Sequence, residues 1–488
     1  MRTGSYIDGR WEHPRGERQV RNVDPADTSV VLAEFPAATP ADVARAVEGA
    51  KRAQAAWADV PPPERGRVLW RATEVARRRV DELALALCRE EGKHLREARG
   101  EVLKGIAVLE FNAGEGFRIQ GRTLPSETKD VFTYTIRRPL GVVGMITPWN
   151  FPWAIPVWKA APALVAGNAI VMKPSEFTPW TASLMVEVFE EAGLPPGLLQ
   201  LVVGYGDDVG QAIVDHPDVA AVSFTGSTAT GLGVYARAAR RGAKVTCEMG
   251  GKNAVVALAD ADVDALVPAL LNGAFGSTGQ RCTATSRLLV DRSIAGRVVE
   301  ALVEGARALK VGPGTDPAAQ LGPIVNPAQL ERVLGYLELG KREAKLCAGG
   351  GRPAGLERGL FVEPTVFADV PPDARIFREE IFGPVLSVCP IDGLEEGIAR
   401  ANAVEYGLTS SIYTRDLQAA MRFVERVETG MVHVNEPTVG GEAQLPFGGM
   451  KKTSVGEREM STDGLYFFTE QKTVFVNFAG GAARNFVR

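Results

Sequence analysis

Between residues 139 and 248 the chain alternates short apolar runs with helix-length segments, and that alternation leaves few folds open. The runs are GVVGMITP, NAIVMKP, LLQLVVG, AAVSFTG and KVTCEMG, with predicted helices at about 155–166, 179–192, 207–214 and 228–240. Strands spaced by helices predict a parallel sheet with right-handed crossovers. Sheets of this kind bind ligands beyond the carboxyl ends of their strands. Trp149, Asn150, Lys173–Glu176, Gly204, Gly206, Gly226, Ser227 and Glu248 fall at those ends.

A second series runs from about 249 to 450. NAVVALA, RLLVDR, PTVFADV, PVLSVCPI, TSSIYTR and MVHVN supply strands, with helices expected at about 262–275, 293–309, 326–345, 394–403 and 416–428. Two α/β series in 488 residues predict two domains with a ligand cleft between them. Ahead of them, Thr39-Pro40 starts a helix, since threonine caps and proline suits the first helical position. A long helix over 64–91 and a third over 97–118 are expected to follow.

VFTYTI (131–136) and FTEQKTVFVNF (468–478) have strand character but no helix to cover them. Paired as a ribbon they would expose edges, which suggests an oligomerisation arm. The alternative is an ordinary strand pair within one domain.

Charge and cysteine usage exclude several classes. Fifty-five basic against 59 acidic residues leave −4, too little for a nucleic-acid-binding field. The cysteines at 88, 247, 282, 347 and 389 are few, odd in number and widely spaced, which argues against a disulfide framework. None of the four histidines lies near another histidine or a cysteine at metal-ligand spacing, so no metal site is expected. The first residues lack an apolar signal segment, and the apolar stretch 140–172 is broken by Asn150, Lys159 and prolines. A reducing, cytoplasmic location without membrane insertion is expected.

Cys282 has neighbours unlike those of a core cysteine. FGSTGQRCTATSR (275–287) surrounds it with small and hydroxyl-bearing residues, which suits a partly exposed thiol able to ionise and attack a carbonyl. A buried, inert thiol is the competing reading. The glycine-rich turns at 204–210 and 226–231 miss the spacing of a dinucleotide fingerprint, and GGK at 250–252 lacks the glycine a phosphate loop requires.

Taken together, PWNFP (148–152), KPSE (173–176), FTGS (224–227), EMGGKN (248–253), GQRC (279–282), EEIFGP (379–384) and PFGGMKKTSVGERE (446–459) resemble the aldehyde dehydrogenase superfamily, in family order and over nearly the whole chain. Met249 departs from the leucine usual after the glutamate. The resemblance implies an α/β fold: a Rossmann-like cofactor domain (1–118 and 139–247), a catalytic domain (248–450) and a small β oligomerisation arm (119–138 and 466–488).

It also implies NAD(P)-dependent oxidation of an aldehyde to a carboxylic acid. Cys282 would be the nucleophile, Asn150 an oxyanion donor, Glu248 the base that activates water, and Lys159 a residue that orients Asn150 or Glu248. Trp149 and Ser227 match positions at the pyrophosphate, Lys173 and Glu176 at the adenine ribose, and Glu380 and Phe382 at the nicotinamide end. Thr147, Ser175, Gly206 and Gly226 complete the cofactor set. Phe151, Trp158, Arg281, Thr283 and Phe447 would line the substrate tunnel, with Trp153 beside Trp158. Arg281 reads equally as a solvated arginine or as a cation for a substrate carboxylate.

Glu176 favours NAD over NADP, because a carboxylate accepts from a free 2′-hydroxyl and repels a 2′-phosphate. The context of Cys282 and VNEPTVGGEAQLPFGG most resemble branches that act on acidic semialdehydes. A homodimer or homotetramer is expected. The alternatives are a coenzyme-A-acylating enzyme, against which Glu248 argues, a catalytically silent binding protein, and a cysteine hydrolase, for which no histidine partner is evident.

Overall fold

The computed structural model describes residues 2–14 and 16–479. Two mainly parallel sheets dominate it. In the first, strands follow the order Leu199–Leu201, Ala169–Lys173, Val142–Ile146, Val219–Thr225 and Lys244–Glu248, all parallel. Strand succession runs outward in one direction from Val142–Ile146 and in the other from Val219–Thr225. Neighbouring crossovers therefore part between these two strands and leave a crevice at their carboxyl ends. Short antiparallel strands close both edges: Ser5–Ile7 pairs with Leu199–Leu201, and Ser454–Val455 pairs with Lys244–Glu248. The latter places Ser454 opposite Glu248.

The second sheet runs Lys345–Ala348, Thr365–Ala368, Val385–Ile391, Thr285–Asp291, Asn253–Ala257, Thr409–Tyr413 and Met431–Val434. It is parallel except at the Lys345–Ala348 edge. That edge strand begins where the sequence predicted the helix over 326–345 to end; the helix stops at Glu343. Its central strands, such as Asn253–Ala257, are buried throughout, as sheets covered by helices on both faces require.

Four helices precede the first sheet: α1 (Pro40–Asp59), α2 (Pro62–Arg78), α3 (Val80–Glu91) and α4 (Leu95–Glu115). Thr39 caps α1 in a capping box with Asp42, as the sequence predicts. The expected single helix over 64–91 is two, broken at Arg79. Neither proline nor glycine makes this break; the Arg79 guanidinium is drawn to Glu82 and, from another helix, to Glu187, both at 2.7 Å. Another helix, α5 (Ala154–Ala166), is buried along its whole length. The helix expected at 207–214 is a π-turn, Gly206–Gly210, followed by a short helix, Gln211–Asp215.

The strand Val131–Pro139 pairs antiparallel with Thr469–Asn477 over nine residue pairs, forming the anticipated ribbon with Thr123–Leu124 at its edge. Residues 480–488 of the expected arm lie outside the described residues. Among the described residues no helix is long and apolar enough to cross a membrane, and no cluster of His, Cys, Asp or Glu could hold a metal ion.

Candidate active site

Cys282 borders a cavity of about 350 Å³ between the two sheets. It follows the helix Val263–Phe275 through a tight turn in which Ser277, Thr278 and Gly279 take left-handed backbone angles. Long-range bonds hold this turn. The Ser277 N–H donates to Glu97 at 2.9 Å, and the Thr278 hydroxyl donates to the Gly322 carbonyl at 3.0 Å. The Asn253 side chain donates to the Cys282 carbonyl at 2.7 Å. Cys88, Cys247 and Cys389 are buried, and Cys282 shares its partial exposure with Cys347; the expected ease of ionisation is not found, because burial works against it.

Burial, then the Glu248 and Glu380 carboxylates, push the Cys282 thiol up to about 12, while the backbone N–H groups of Thr283 and Cys282 pull the other way. The resting sulfur is therefore a neutral thiol. Asn150 is buried beside it. Its side-chain amide donates to the Gln280 carbonyl at 3.0 Å, which fixes the amide plane and leaves its second N–H. The Lys93 ammonium holds the Asn150 carbonyl at 2.6 Å and the Glu101 carboxylate at 2.7 Å. Glu101 in turn accepts from the N–H groups of Trp153 and Ala154 at the start of α5. A buried ion pair thus anchors the PWNFP loop.

Glu248 ends its strand with one carboxylate oxygen accepting from the Ser454 hydroxyl at 2.6 Å and the other buried without a partner. Burial foremost, and the charge of Glu459 second, hold its carboxyl well above the usual range. Gly448, at φ +150°, passes so close that a Cβ there would lie 2.7 Å from the unpartnered oxygen. Lys159 bonds neither Asn150 nor Glu248. Its ammonium pairs with Glu459 and donates to the Ser223 hydroxyl at 2.9 Å. Lys159 reaches Glu248 only through its field, which lowers the Glu248 pKa.

The cavity wall includes Phe151, Trp158, Thr283 and Phe447, all expected there. Trp158 and Phe447 pack with their rings tilted by 38° and centroids 5.3 Å apart, and the Trp158 N–H donates to Glu459 at 2.8 Å. Trp153 is not in the wall: it is fully buried, its N–H directed to the Val102 carbonyl at 3.3 Å. Arg281 lines the cavity but is not a free cation. It pairs with Glu97 at 2.9 Å and donates to the Ser277 hydroxyl at 3.1 Å. Glu97, Glu101 and Lys104 on α4 also line the wall; the sequence reading gave no role to these three, nor to Gln280, Lys93 and Glu459. Glu97, Glu101 and Lys104 share one face of α4 at helical spacing, and that was the one available signal.

The expected cofactor residues gather at the carboxyl ends of the first sheet. Thr147 follows Val142–Ile146, and Gly226 and Ser227 follow the adjacent strand Val219–Thr225. The buried hydroxyls of Thr147 and Thr225 lack partners at this switch point. Ser227 caps the helix Thr228–Arg240, whose first N–H groups suit a phosphate. The buried Lys173 ammonium donates to the Pro174 carbonyl at 2.7 Å and to Glu176 at 3.2 Å, with Ser175 between them; burial lowers its pKa. Gly206 opens the π-turn facing open space.

From the second sheet, Glu380 accepts from the Gly251 N–H at 2.8 Å, and Phe382 meets Trp149 edge-on at 5.4 Å. Gly250 leaves room here for the Glu380 carboxylate, which a Cβ would meet at 2.5 Å and displace. Orphaned hydroxyls, a helix N-terminus, an ammonium and a carboxylate along one crevice fit a dinucleotide.

The sequence matches the model of the Aldehyde dehydrogenase family over residues 11–474. It is 42% identical over 475 residues to the alpha-ketoglutaric semialdehyde dehydrogenase of Bacillus subtilis (strain 168), covering 97% of each chain. It is also 42% identical over 475 residues to a betaine aldehyde dehydrogenase of Rhizobium leguminosarum bv. trifolii, covering 96% of each. A crystal structure of betaine aldehyde dehydrogenase from Staphylococcus aureus in complex with NAD+ superposes with a TM-score of 0.96 at 32% identity, covering 100% of this chain and 97% of that one.

Proposed function

The chain belongs to the aldehyde dehydrogenase family, and from that premise we propose that it oxidises an acidic semialdehyde to the dicarboxylic acid with NAD, through a covalent bond to Cys282. One observation carries this reading: Cys282 borders the cavity, the Asn150 amide is clamped to the Gln280 carbonyl two residues before it, and Glu248 is near enough for its charge to act on the thiol.

The Cys282 thiol passes its proton to water in the cavity, and the thiolate sulfur bonds the aldehyde carbon. The carbonyl electron pair moves to oxygen, where the second N–H of Asn150 and the Cys282 backbone N–H donate to it. When bound, the nicotinamide of NAD supplies the acceptor for the hydride that leaves this carbon. The thioester left on Cys282 is attacked by water, whose proton passes to Glu248. The carbon–sulfur bond then breaks, the departing thiolate takes back the proton held by Glu248, and the product ionises to the carboxylate. A glutamate with a raised pKa is a stronger base once ionised, which suits this task. Lys159, paired with Glu459, acts on Glu248 through its charge.

The crevice of the first sheet is the place for NAD. Ser227 and Trp149 would face the pyrophosphate, with Thr147, Gly206 and Gly226 around it. Lys173, Ser175 and Glu176 would hold the adenine ribose, and Glu380 and Phe382 the nicotinamide end. Glu176 favours NAD, with NADP as the poorer cofactor; a higher kcat/KM with NADP would refute that assignment. The relatives named for alpha-ketoglutaric semialdehyde and 2,5-dioxopentanoate support the acidic substrate.

The domain division that accompanies this reading is 1–118 with 139–247 for the cofactor and 248–450 for catalysis. The ribbon exposes Phe132 and Val476, which supports a homodimer or homotetramer, and the unpaired cysteines support a cytoplasmic setting. The experiment is Glu248→Gln. It is expected to release one equivalent of reduced nicotinamide per active site and then stall, with the acyl mass on Cys282; unchanged steady turnover would remove Glu248 as the base.

A further inference from the structure

We infer that Lys104 is the residue that receives the far carboxylate of the substrate. This rests on the acidic-semialdehyde reading and names the group that makes it selective. Glu97, Gly100, Glu101 and Lys104 line the cavity from one face of α4. Two of the charges on that face are already neutralised. Glu97 is paired with Arg281 at 2.9 Å, and Glu101 with Lys93 at 2.7 Å.

Lys104 is different. Its ammonium meets the Gly441 carbonyl and no carboxylate within ion-pair distance among the described residues. Burial pulls its pKa down to about 8, with only the nearby Glu442 acting to raise it. An ammonium held by a neutral carbonyl in a partly dry wall gains more from an incoming anion than one already paired. Arg281 would first have to leave Glu97.

The rest of the cavity is mainly apolar and aromatic, so a neutral chain fits it without using Lys104. A cationic aldehyde would meet Lys104 with like charge. The same cavity therefore sorts acidic from neutral and cationic aldehydes, although relatives named for both acidic and betaine aldehydes stand at 42% identity.

The test compares 2,5-dioxopentanoate with pentanal on the wild type, Lys104→Met, Lys104→Arg and Arg281→Met. For Lys104→Met, KM for the acidic aldehyde should rise about 10- to 100-fold, the loss of one charge-assisted hydrogen bond, with kcat held within about twofold. Pentanal kinetics should stay within about twofold, and Lys104→Arg should restore the acidic preference. In the wild type, KM for the acidic aldehyde should climb as pH passes about 8, where the ammonium is lost, and Lys104→Arg should flatten that climb.

An equal loss on both aldehydes, or an unchanged acidic preference in Lys104→Met, would overturn the assignment. So would a selective loss confined to Arg281→Met. A wild type that prefers pentanal would instead overturn the substrate reading on which the assignment rests.

Discussion

Replacing Lys93 with methionine should damage the enzyme through Glu101 more than through the lost lysine itself. Lys93 and Glu101 are both about 1% exposed, so the carboxylate has no route to bulk water. Removing one partner of such a pair costs about 3–5 kcal/mol, because the survivor is left charged and dry. Glu91, 3.8 Å from the same ammonium, does not add to this. Burial pushes its carboxyl up to about 8, so it is largely protonated at neutral pH and needs no counter-charge.

In Lys93→Met/Glu101→Gln the dry charge is gone. The glutamine oxygen can still accept from the Trp153 and Ala154 N–H groups. What remains lost is the charged donor on the Asn150 carbonyl, about 1.5–3 kcal/mol. The double variant should therefore be more stable than the single one by roughly 2 kcal/mol, the difference of those two figures. Urea and thermal midpoints at one protein concentration give the order wild type, double, single. Both variants should also lose kcat, up to about 10²–10³-fold if the freed loop withdraws the Asn150 amide. A double variant less stable than Lys93→Met, or a single variant as stable as wild type, would refute the reasoning.

Two further outcomes follow from the surroundings of Glu248. Glu459→Gln removes a like charge that raises the Glu248 pKa, so the acid limb of the deacylation rate should move to lower pH; a limb that moves up or stays put contradicts the field described. Gly448→Ala places a methyl 2.7 Å from the free Glu248 oxygen, at a φ that side chains rarely adopt. Turnover should fall at least about tenfold, the effect of losing one well-placed hydrogen bond to a charged group, while the initial release of reduced nicotinamide stays fast. A slowed initial release with normal deacylation would place Gly448 on the other half-reaction.

The strand–helix alternation made the two sheets legible, because buried parallel strands are short, continuous apolar runs. Cys282, Asn150 and Glu248 were legible because each sits in a local motif. The roles of Lys93, Gln280 and Glu459 were not, because the bonds that give them those roles, to Asn150 and to Lys159, span 57 to 300 residues. Trp153 was misplaced for a related reason: two tryptophans five residues apart on one motif look alike until α5 turns one toward the cavity and the other into the core. The break at Arg79 escaped notice because neither proline nor glycine marks it and one of the carboxylates that hold Arg79 lies on another helix.

Only residues 249–252 join the last parallel strand of the first sheet to the first strand of the second. The amides of Met249, Gly250 and Gly251 are all engaged, by the Thr453 carbonyl, the Thr228 hydroxyl and Glu380. A four-residue tether spans at most about 14 Å and has no slack once so held. A clamshell gape would have to tear out the groups that position Glu248 and Glu380. Parting the two sheets at this tether therefore costs those three hydrogen bonds, each about 0.5–1.5 kcal/mol.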